Sequence, residues 1–190
     1  MPYVLAAILW LAPQPPVRVV REAIRHLAPH VGPRLARHYA RIVLHEAKRR
    51  SIESSLVVAF IQTETRWDEA FRSATNDWGL CQIHVAARGS QTFLGREREL
   101  LDPQTNVREW CRLAAMWRAY HQRECRGQLE MAPGRFGWLV LRPRKQHPWW
   151  AHLKWGYRVK GTEHAEKVRK LYHELRDRFL RHTPIAFEGV

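Results

Sequence analysis

The sequence is short of cysteine and contains none of the cysteine or histidine spacings that hold zinc. Its three cysteines are Cys81, Cys111 and Cys125, no CxxC is present, and the eleven histidines include no HExxH. These absences argue against a zinc ribbon, a disulfide scaffold and a metalloprotease. We therefore predict no metal and no cofactor. In an oxidising compartment, a disulfide between Cys111 and Cys125 remains an alternative, and Cys81 would then be a small buried hydrophobe.

Acidic residues are also scarce. Asp and Glu number 18 against 32 Lys and Arg, which gives the 190 residues a formal net charge of +14. Nucleic acid, a membrane surface or an acidic polymer would complement that charge, but basic residues scattered along solvated helix faces explain it equally well. No RNA or DNA motif accompanies the charge, so nucleic acid is the least favoured partner. Charge alone therefore names no function.

No apolar run is long enough to cross a bilayer, and we predict no transmembrane span. The run MPYVLAAILWLAP, residues 1–13, has the length of a signal peptide but lacks a positive n-region before it and a clean A-x-A site after it. Residues 1–16 are therefore interpreted either as an atypical export signal or apolar leader, or as a buried N-terminal segment. Residues 184–190 form a tail.

What the sequence does contain is a series of helical patterns, and its length suits one domain. Residues 17–50 predict two helices, the second starting with Pro33. Three more are predicted, with these bounds: Ser51 or Glu53 to near Phe71, about Val107 to Gln122, and Glu163 to His182 after a Thr162 cap. Turn formers between them predict a loop or short irregular strands at 72–95, and a long loop with at most one short helix or strand at 126–161. The fold class is mainly α.

One helical pattern has a carboxylate on its apolar face. In SLVVAFIQTETRWDEAF, residues 55–71, Glu64 shares a stripe of three- and four-residue spacings with Val57, Phe60, Ile61, Trp67 and Phe71. Burying a carboxylate is costly unless it is protonated or paired. An ion pair with Arg66, Arg72 or a neighbouring Lys would explain it. So would catalysis, because a general acid for glycosidic bond cleavage must keep its proton near neutral pH, and an apolar wall favours this.

Three motifs, in order, carry a resemblance to a known family. They are Glu64 followed by the hydroxyl residue Thr65, the run Trp78-Gly79-Leu80-Cys81-Gln82-Ile83, and the group Asp102, Pro103 and Asn106 at the start of a helix. They resemble the catalytic Glu-Ser, the Gly-Leu-Met-Gln-Ile and the Asp-Pro-x-x-Asn of the soluble lytic transglycosylase domain, in the lysozyme-like superfamily. The resemblance covers roughly residues 37–118.

The resemblance implies a lysozyme-like helical domain over residues 51–183, with the helices of 17–50 packed on it, acting on peptidoglycan glycan strands. It implies that Glu64 protonates the oxygen linking N-acetylmuramic acid to N-acetylglucosamine while the 2-acetamido group closes on the anomeric carbon. Glu64 then takes a proton from the C6 hydroxyl, which leaves a 1,6-anhydro end. The expected location is the periplasm or cell envelope, within an envelope or phage assembly. A phage-encoded protein that is cytoplasmic before release is the alternative.

The resemblance and the chemistry of the residues also predict the substrate-binding side chains: Thr65, Trp78, Gly79, Gln82, Ile83, Trp155 and Tyr157. The Gln82 amide is suited either to a sugar or to local backbone, and Gly79 either to close approach of the loop to the sugar or to an ordinary turn. Trp155 offers a flat face for a sugar ring. Asp102 and Asn106 are expected to be structural, since they match a helix start.

The chain departs from the family at its Ala-Tyr-Asn-x-Gly stretch, where the Tyr hydrogen-bonds the catalytic Glu. In HLKWGYRVKG, Leu153 and Lys154 take the Tyr and Asn positions if Gly156 matches the Gly. Tyr157 would replace the phenol from a shifted position, or Lys154 would lower the pKa of Glu64 and weaken the acid.

Two other functions stay open. A lysozyme-type hydrolase would use Glu64 with a second carboxylate, such as Asp77, to position water. A non-catalytic cell-wall or nucleic-acid binding protein would use its basic faces and exposed Trp residues instead.

Overall fold

The computed structural model is mainly α, as predicted. It describes the following residues: 14–85, 91–124, 129–133, 139–143 and 163–181. Its α-helices are α1 (Val17–Leu27), α2 (Pro33–Arg49), α3 (Ser54–Glu64), α4 (Pro103–Glu124) and α5 (Glu163–Arg181). Within these ranges, none of the helices combines the length and apolarity needed to span a bilayer.

Two short antiparallel hairpins interrupt the helices. The first pairs β1 (Asp77–Trp78) with β2 (Ile83–His84), inside the segment where irregular strands were predicted. The second pairs β3 (Leu129–Pro133) with β4 (Leu139–Pro143), where the sequence predicted no more than one short strand. Two 3₁₀ helices, Gln91–Phe93 and Glu97–Leu101, lead into α4. Both hairpins fit a lysozyme-like domain, which is mainly helical with a small β-like segment.

Helix α3 lies at the centre of the core. Every residue from Ser54 to Ile61 is buried, and α2 and α5 pack directly against the helix. From α4, the Trp110 ring meets Phe60 with centroids 4.9 Å apart. The prediction of an amphipathic helix with one apolar face was therefore wrong. Helix α3 is buried on all sides, and such a helix needs apolar side chains on every face.

Helix α3 also ends seven residues before the predicted end at Phe71. Glu64 is its last residue, and Arg66 and Trp67 have φ of 52° and 72°, a left-handed conformation that stops a helix. Trp67 reaches the core from outside the helix by stacking on Tyr39, with centroids 5.5 Å apart. Phe71 is 43% exposed and takes no part in the core. Glu64 therefore stands at a helix end, not in a helix middle.

The other helix starts follow their sequence signals closely. Pro33 occupies the first turn of α2, as predicted. Helix α4 begins at Pro103, four residues before the predicted Val107, because Asp102 caps it by accepting a hydrogen bond from the Thr105 N–H at 2.8 Å. Helix α5 begins at Glu163, and the predicted Thr162 cap lies outside the described residues.

The cysteines in the described residues are core side chains. Cys81 and Cys111 are buried free thiols, and burial raises the pKa of both. The prediction of Cys81 as a small buried hydrophobe is confirmed. The bridge from Cys111 is not formed, since Cys111 faces the core side of α4 as a free thiol, and Cys125 lies outside the described residues.

The buried side chain of Asn106 ties the loop between β1 and β2 to α4. Its Nδ2 donates to the carbonyl oxygens of Trp78 and Leu100, both at 2.8 Å. Its Oδ1 accepts from the Cys81 N–H at 2.8 Å. One carboxamide thus satisfies three buried backbone groups that would otherwise be unpaired. The expected structural role of Asn106 is confirmed, and it extends well beyond the start of the helix.

Gly79 makes this arrangement sterically possible. It has φ of +66°, and a Cβ there would lie 2.2 Å from the Leu100 carbonyl oxygen and 2.5 Å from Asn106 Nδ2. The sequence left two interpretations of Gly79, close approach to a sugar or an ordinary turn, and the geometry matches the turn. The close approach of Gly79 is to Leu100 and Asn106 of the protein itself.

Gly79→Ala should destabilise the protein far more than Gly95→Ala. Both glycines have positive φ, but a Cβ at Gly95 would meet nothing within 4 Å, so Gly95→Ala carries only the backbone strain. The overpacking at Gly79 should add about 1–3 kcal/mol. Urea denaturation of the two variants measures this difference directly, and equal losses of unfolding free energy would contradict it.

Candidate active site

The side chain of Glu64 is 6% exposed and faces the first turn of α5. His164 Nε2 lies 3.1 Å from Glu64 Oε1, and the His164 side chain is 20% exposed. The imidazole also stands edge-on to Phe60, with centroids 5.8 Å apart. Within the described part of the chain, Nε2 makes no hydrogen bond. The contact is therefore electrostatic, and it becomes an ion pair when the imidazole is protonated.

The sequence suggested an ion pair of Glu64 with Arg66, Arg72 or a neighbouring Lys, whereas the ion pair that the structure describes at Glu64 is with His164. Arg66 is exposed, and the Arg72 guanidinium lies over the Trp78 ring, 4.6 Å from its centroid. Both chain positions follow the end of α3, where the backbone turns away from Glu64. Sequence reasoning missed His164, because a histidine one hundred residues away has no spacing that relates it to residue 64.

The loop between β1 and β2 runs beside Glu64. Thr65, the residue after Glu64, donates its hydroxyl to the Leu80 carbonyl oxygen at 2.9 Å. Burial, followed by the nearby Cys111 and Glu64, raises the pKa of the Cys81 thiol well above its ordinary value. The end of α3 and this loop are therefore in direct contact, and the hydrogen bond from the buried Thr65 hydroxyl helps to hold them together.

The predicted substrate-binding residues of this loop divide by accessibility. Ile83 is buried in the core. Trp78 is partly buried, and its Nε1 donates to Asn76 Oδ1 at 2.7 Å. Gln82 Nε2 donates to the carbonyl oxygens of Gly79 at 3.0 Å and Phe71 at 3.3 Å, which matches the local-backbone interpretation of that amide. Trp78 and Gln82 keep partly accessible side chains, and their contact with substrate stays a prediction.

The remaining predicted residues lie elsewhere. Trp155, Tyr157 and Lys154 are outside the described residues. Within the ranges that the structure does describe, His, Cys, Asp and Glu side chains form no group of three or more that is suited to a metal ion.

Asp77 is held by a set of hydrogen bonds at the start of β1. Its Oδ2 accepts from the hydroxyls of Ser73 and Thr75, both at 2.6 Å, and His84 Nδ1 lies 2.8 Å from Oδ1. Partial burial by itself raises the pKa of Asp77, but the hydrogen bonds from Ser73, Thr75 and His84 outweigh it and lower the pKa below its ordinary value. The carboxylate therefore stabilises the turn at residues 73–77, which precedes the loop between β1 and β2.

The lowered pKa of Asp77 predicts an acid-sensitive contribution to stability. A carboxylate with a depressed folded-state pKa stabilises the fold above its ordinary value of 3.8, and this contribution disappears as the pH falls through the lower folded value. Asp77→Asn should therefore be less stable than wild type at pH 6, and the gap should shrink toward pH 3. Thermal melts across this range test the prediction, and a gap independent of pH would contradict it.

The fold and the position of Glu64 indicate the class of protein. A mainly helical domain, in which a buried glutamate ends the central helix beside a hydrogen-bonded β-hairpin loop, has the architecture of the lysozyme-like superfamily. Residues 41–111 match the family model of the transglycosylase SLT domain, so the chain carries an SLT domain of that superfamily. This match begins inside α2 and ends inside α4.

One curated relative supports the same assignment. The chain is 33% identical over 92 residues to membrane-bound lytic murein transglycosylase C of Mannheimia succiniciproducens, across 45% of this chain and 26% of the relative. The chain thus spans about a quarter of the length of that relative. No solved structure matches the chain.

Proposed function

We propose that this chain is a peptidoglycan lytic transglycosylase that cleaves the bond between N-acetylmuramic acid and N-acetylglucosamine with Glu64 as its acid and base. The observation that carries the proposal is the position of Glu64. It ends the central helix, is nearly buried, and adjoins the loop that contains Gln82. The SLT domain match and the related murein transglycosylase support the substrate class.

In the first step, protonated Glu64 donates its proton to the glycosidic oxygen as the bond to the anomeric carbon breaks. The 2-acetamido oxygen of the muramic acid closes on that carbon and takes the place of a second enzymic carboxylate.

In the second step, the Glu64 carboxylate takes the proton of the C6 hydroxyl. The resulting oxygen attacks the anomeric carbon, expels the acetamido oxygen and closes the 1,6-anhydro ring. Glu64 is protonated again, so the cycle consumes no water. In this step a protonated His164 would stabilise the carboxylate, since its Nε2 lies 3.1 Å from Oε1.

The alternative of a lysozyme-type hydrolase would use Asp77 as the second carboxylate that orients water. Ser73, Thr75 and His84 already contact three of the acceptor positions of Asp77. The product of the reaction distinguishes the two functions. We place the protein in the cell envelope, as the name of the related membrane-bound enzyme suggests, and membership of an envelope or phage assembly stays a prediction.

Mass spectrometry of muropeptides released from purified peptidoglycan tests the proposal. Wild type should release 1,6-anhydro muropeptides, and Glu64→Gln should release none above background, because an amide can neither donate nor take the proton. Glu174→Gln, which changes an exposed glutamate on α5, serves as the control and should remain active. Reducing-end products from wild type would indicate a hydrolase, and binding without release would indicate a non-catalytic wall-binding protein.

His164→Gln should slow the reaction. The substitution removes the imidazole whose Nε2 lies 3.1 Å from Oε1 of Glu64, and the amide that replaces it cannot carry a positive charge. The rate of release of anhydro product should fall by about threefold or more relative to wild type, which corresponds to a change of about 0.7 kcal/mol in the barrier.

His173→Gln is the matched control, since His173 is an exposed histidine on the same helix. Its rate should equal that of wild type. A wild-type rate for His164→Gln as well would mean that His164 only fills space beside Glu64.

A further inference from the structure

Half of the net charge lies in the segment that precedes α3. Residues 17–50 contain nine Lys and Arg against two Glu, a net of +7, while the whole chain carries +14. The proposed chemistry at Glu64 uses none of these cations. They are therefore available to bind an anionic group elsewhere on the surface.

Part of this charge converges on an open cleft where α1 and α2 meet. Arg21, Pro33, Arg34 and Arg37 line a space of about 410 Å³. Arg21 already donates two hydrogen bonds to Glu22, at 3.0 and 2.5 Å. Arg34 and Arg37 are exposed and, in the part of the chain that the structure describes, form no ion pair. The uncompensated charge in the cleft is therefore theirs.

The cleft has the chemistry of a site for a discrete oxyanion. Guanidinium groups bind carboxylates and phosphates through paired N–H donors, and Arg34 and Arg37 present two such forks on one helix. Among the described residues that line the cleft, none is aromatic, so these residues offer nucleotide bases nothing to stack on. A lipid surface attracts exposed basic side chains without needing a recess. A carboxylate group that enters the cleft fits best.

We propose that this cleft binds the carboxylates of the stem peptides on peptidoglycan strands. The inference rests on the proposed function, because it takes the wall polymer as the substrate. It adds a contact with the peptide portion of the polymer, which the chemistry at the glycosidic bond does not involve. The protein should accordingly prefer glycan strands that carry stem peptides over bare strands.

The cleft is held in a fixed position relative to Glu64. Gln62, two residues before Glu64, donates to the Leu27 carbonyl oxygen at the end of α1, at 3.3 Å. From α2, Tyr39 stacks on Trp67 and donates its hydroxyl to Glu69 Oε2 at 2.6 Å. A peptide held in the cleft therefore fixes the orientation of its strand with respect to the acid.

The test is binding of the full chain to purified sacculi, measured by pelleting at physiological salt. Glu64→Gln is used throughout so that the wall is not degraded. This parent should bind intact sacculi at least about tenfold more tightly than sacculi that an amidase has stripped of stem peptides and whose newly exposed lactyl carboxylates have then been converted to amides, as the loss of charge-assisted hydrogen bonds predicts. Adding Arg34→Gln and Arg37→Gln should abolish that preference.

The control adds Arg98→Gln and Lys170→Gln instead, which removes two exposed charges far from the cleft in sequence. It should keep the preference, since only general electrostatic attraction is reduced. Melting temperatures of both variants, expected to match the parent, show that the fold is retained.

Three results would overturn the inference. They are equal binding of the parent to intact and stripped sacculi, an unchanged preference after the two cleft substitutions, and loss of binding to phosphatidylglycerol vesicles or DNA as the main effect of those substitutions. Failure of the proposed function is separate: a protein that releases no anhydro product, yet prefers peptide-bearing sacculi through Arg34 and Arg37, would retain the cleft without the reaction.

Discussion

The carboxamide of Asn106 is the interaction on which the arrangement of the site depends. It pairs with backbone groups of Trp78, Leu100 and Cys81 in the core, and each group left unpaired there would cost about 1–3 kcal/mol. The loop between β1 and β2 therefore cannot leave α4 without a large penalty. Thr65 extends this constraint to the end of α3 through its bond to Leu80, so Glu64 and the loop keep one relative position.

The end of α3 is an unfavourable place for a negative charge. The last turn of a helix carries the negative end of its dipole, and α3 has no basic residue in that turn. In the described residues, His164 on α5 brings its Nε2 to 3.1 Å from Oε1 of Glu64. A basic side chain from another helix therefore lies where the last turn of α3 offers no compensating charge of its own.

The sequence predicted much of this from local chemistry. The Pro33 and Asp102 signals located helix starts, and Glu64 and Asn106 were identified because their motifs are contiguous or nearly so. The errors have a common cause. Periodicity alone extended α3 to Phe71, because Trp67 is apolar and at the right spacing, whereas the left-handed backbone at Arg66 and Trp67 is set by tertiary contacts. His164 and the arginine cleft depend on how helices meet, which spacing along one helix does not contain.

Burial alone does not identify the acid, as a second glutamate shows. Glu46 on α2 has a side chain only 2% exposed, less than that of Glu64. It lies among three basic side chains, with His45, Arg49 and Arg108 at 3.7–3.9 Å, and these offset a fixed negative charge between α2 and α4. Glu64 instead stands at a helix end beside an anchored loop and faces the imidazole of His164. The proton transfers proposed for the reaction need a carboxyl group that is not held by several cations, and Glu46 does not meet that need.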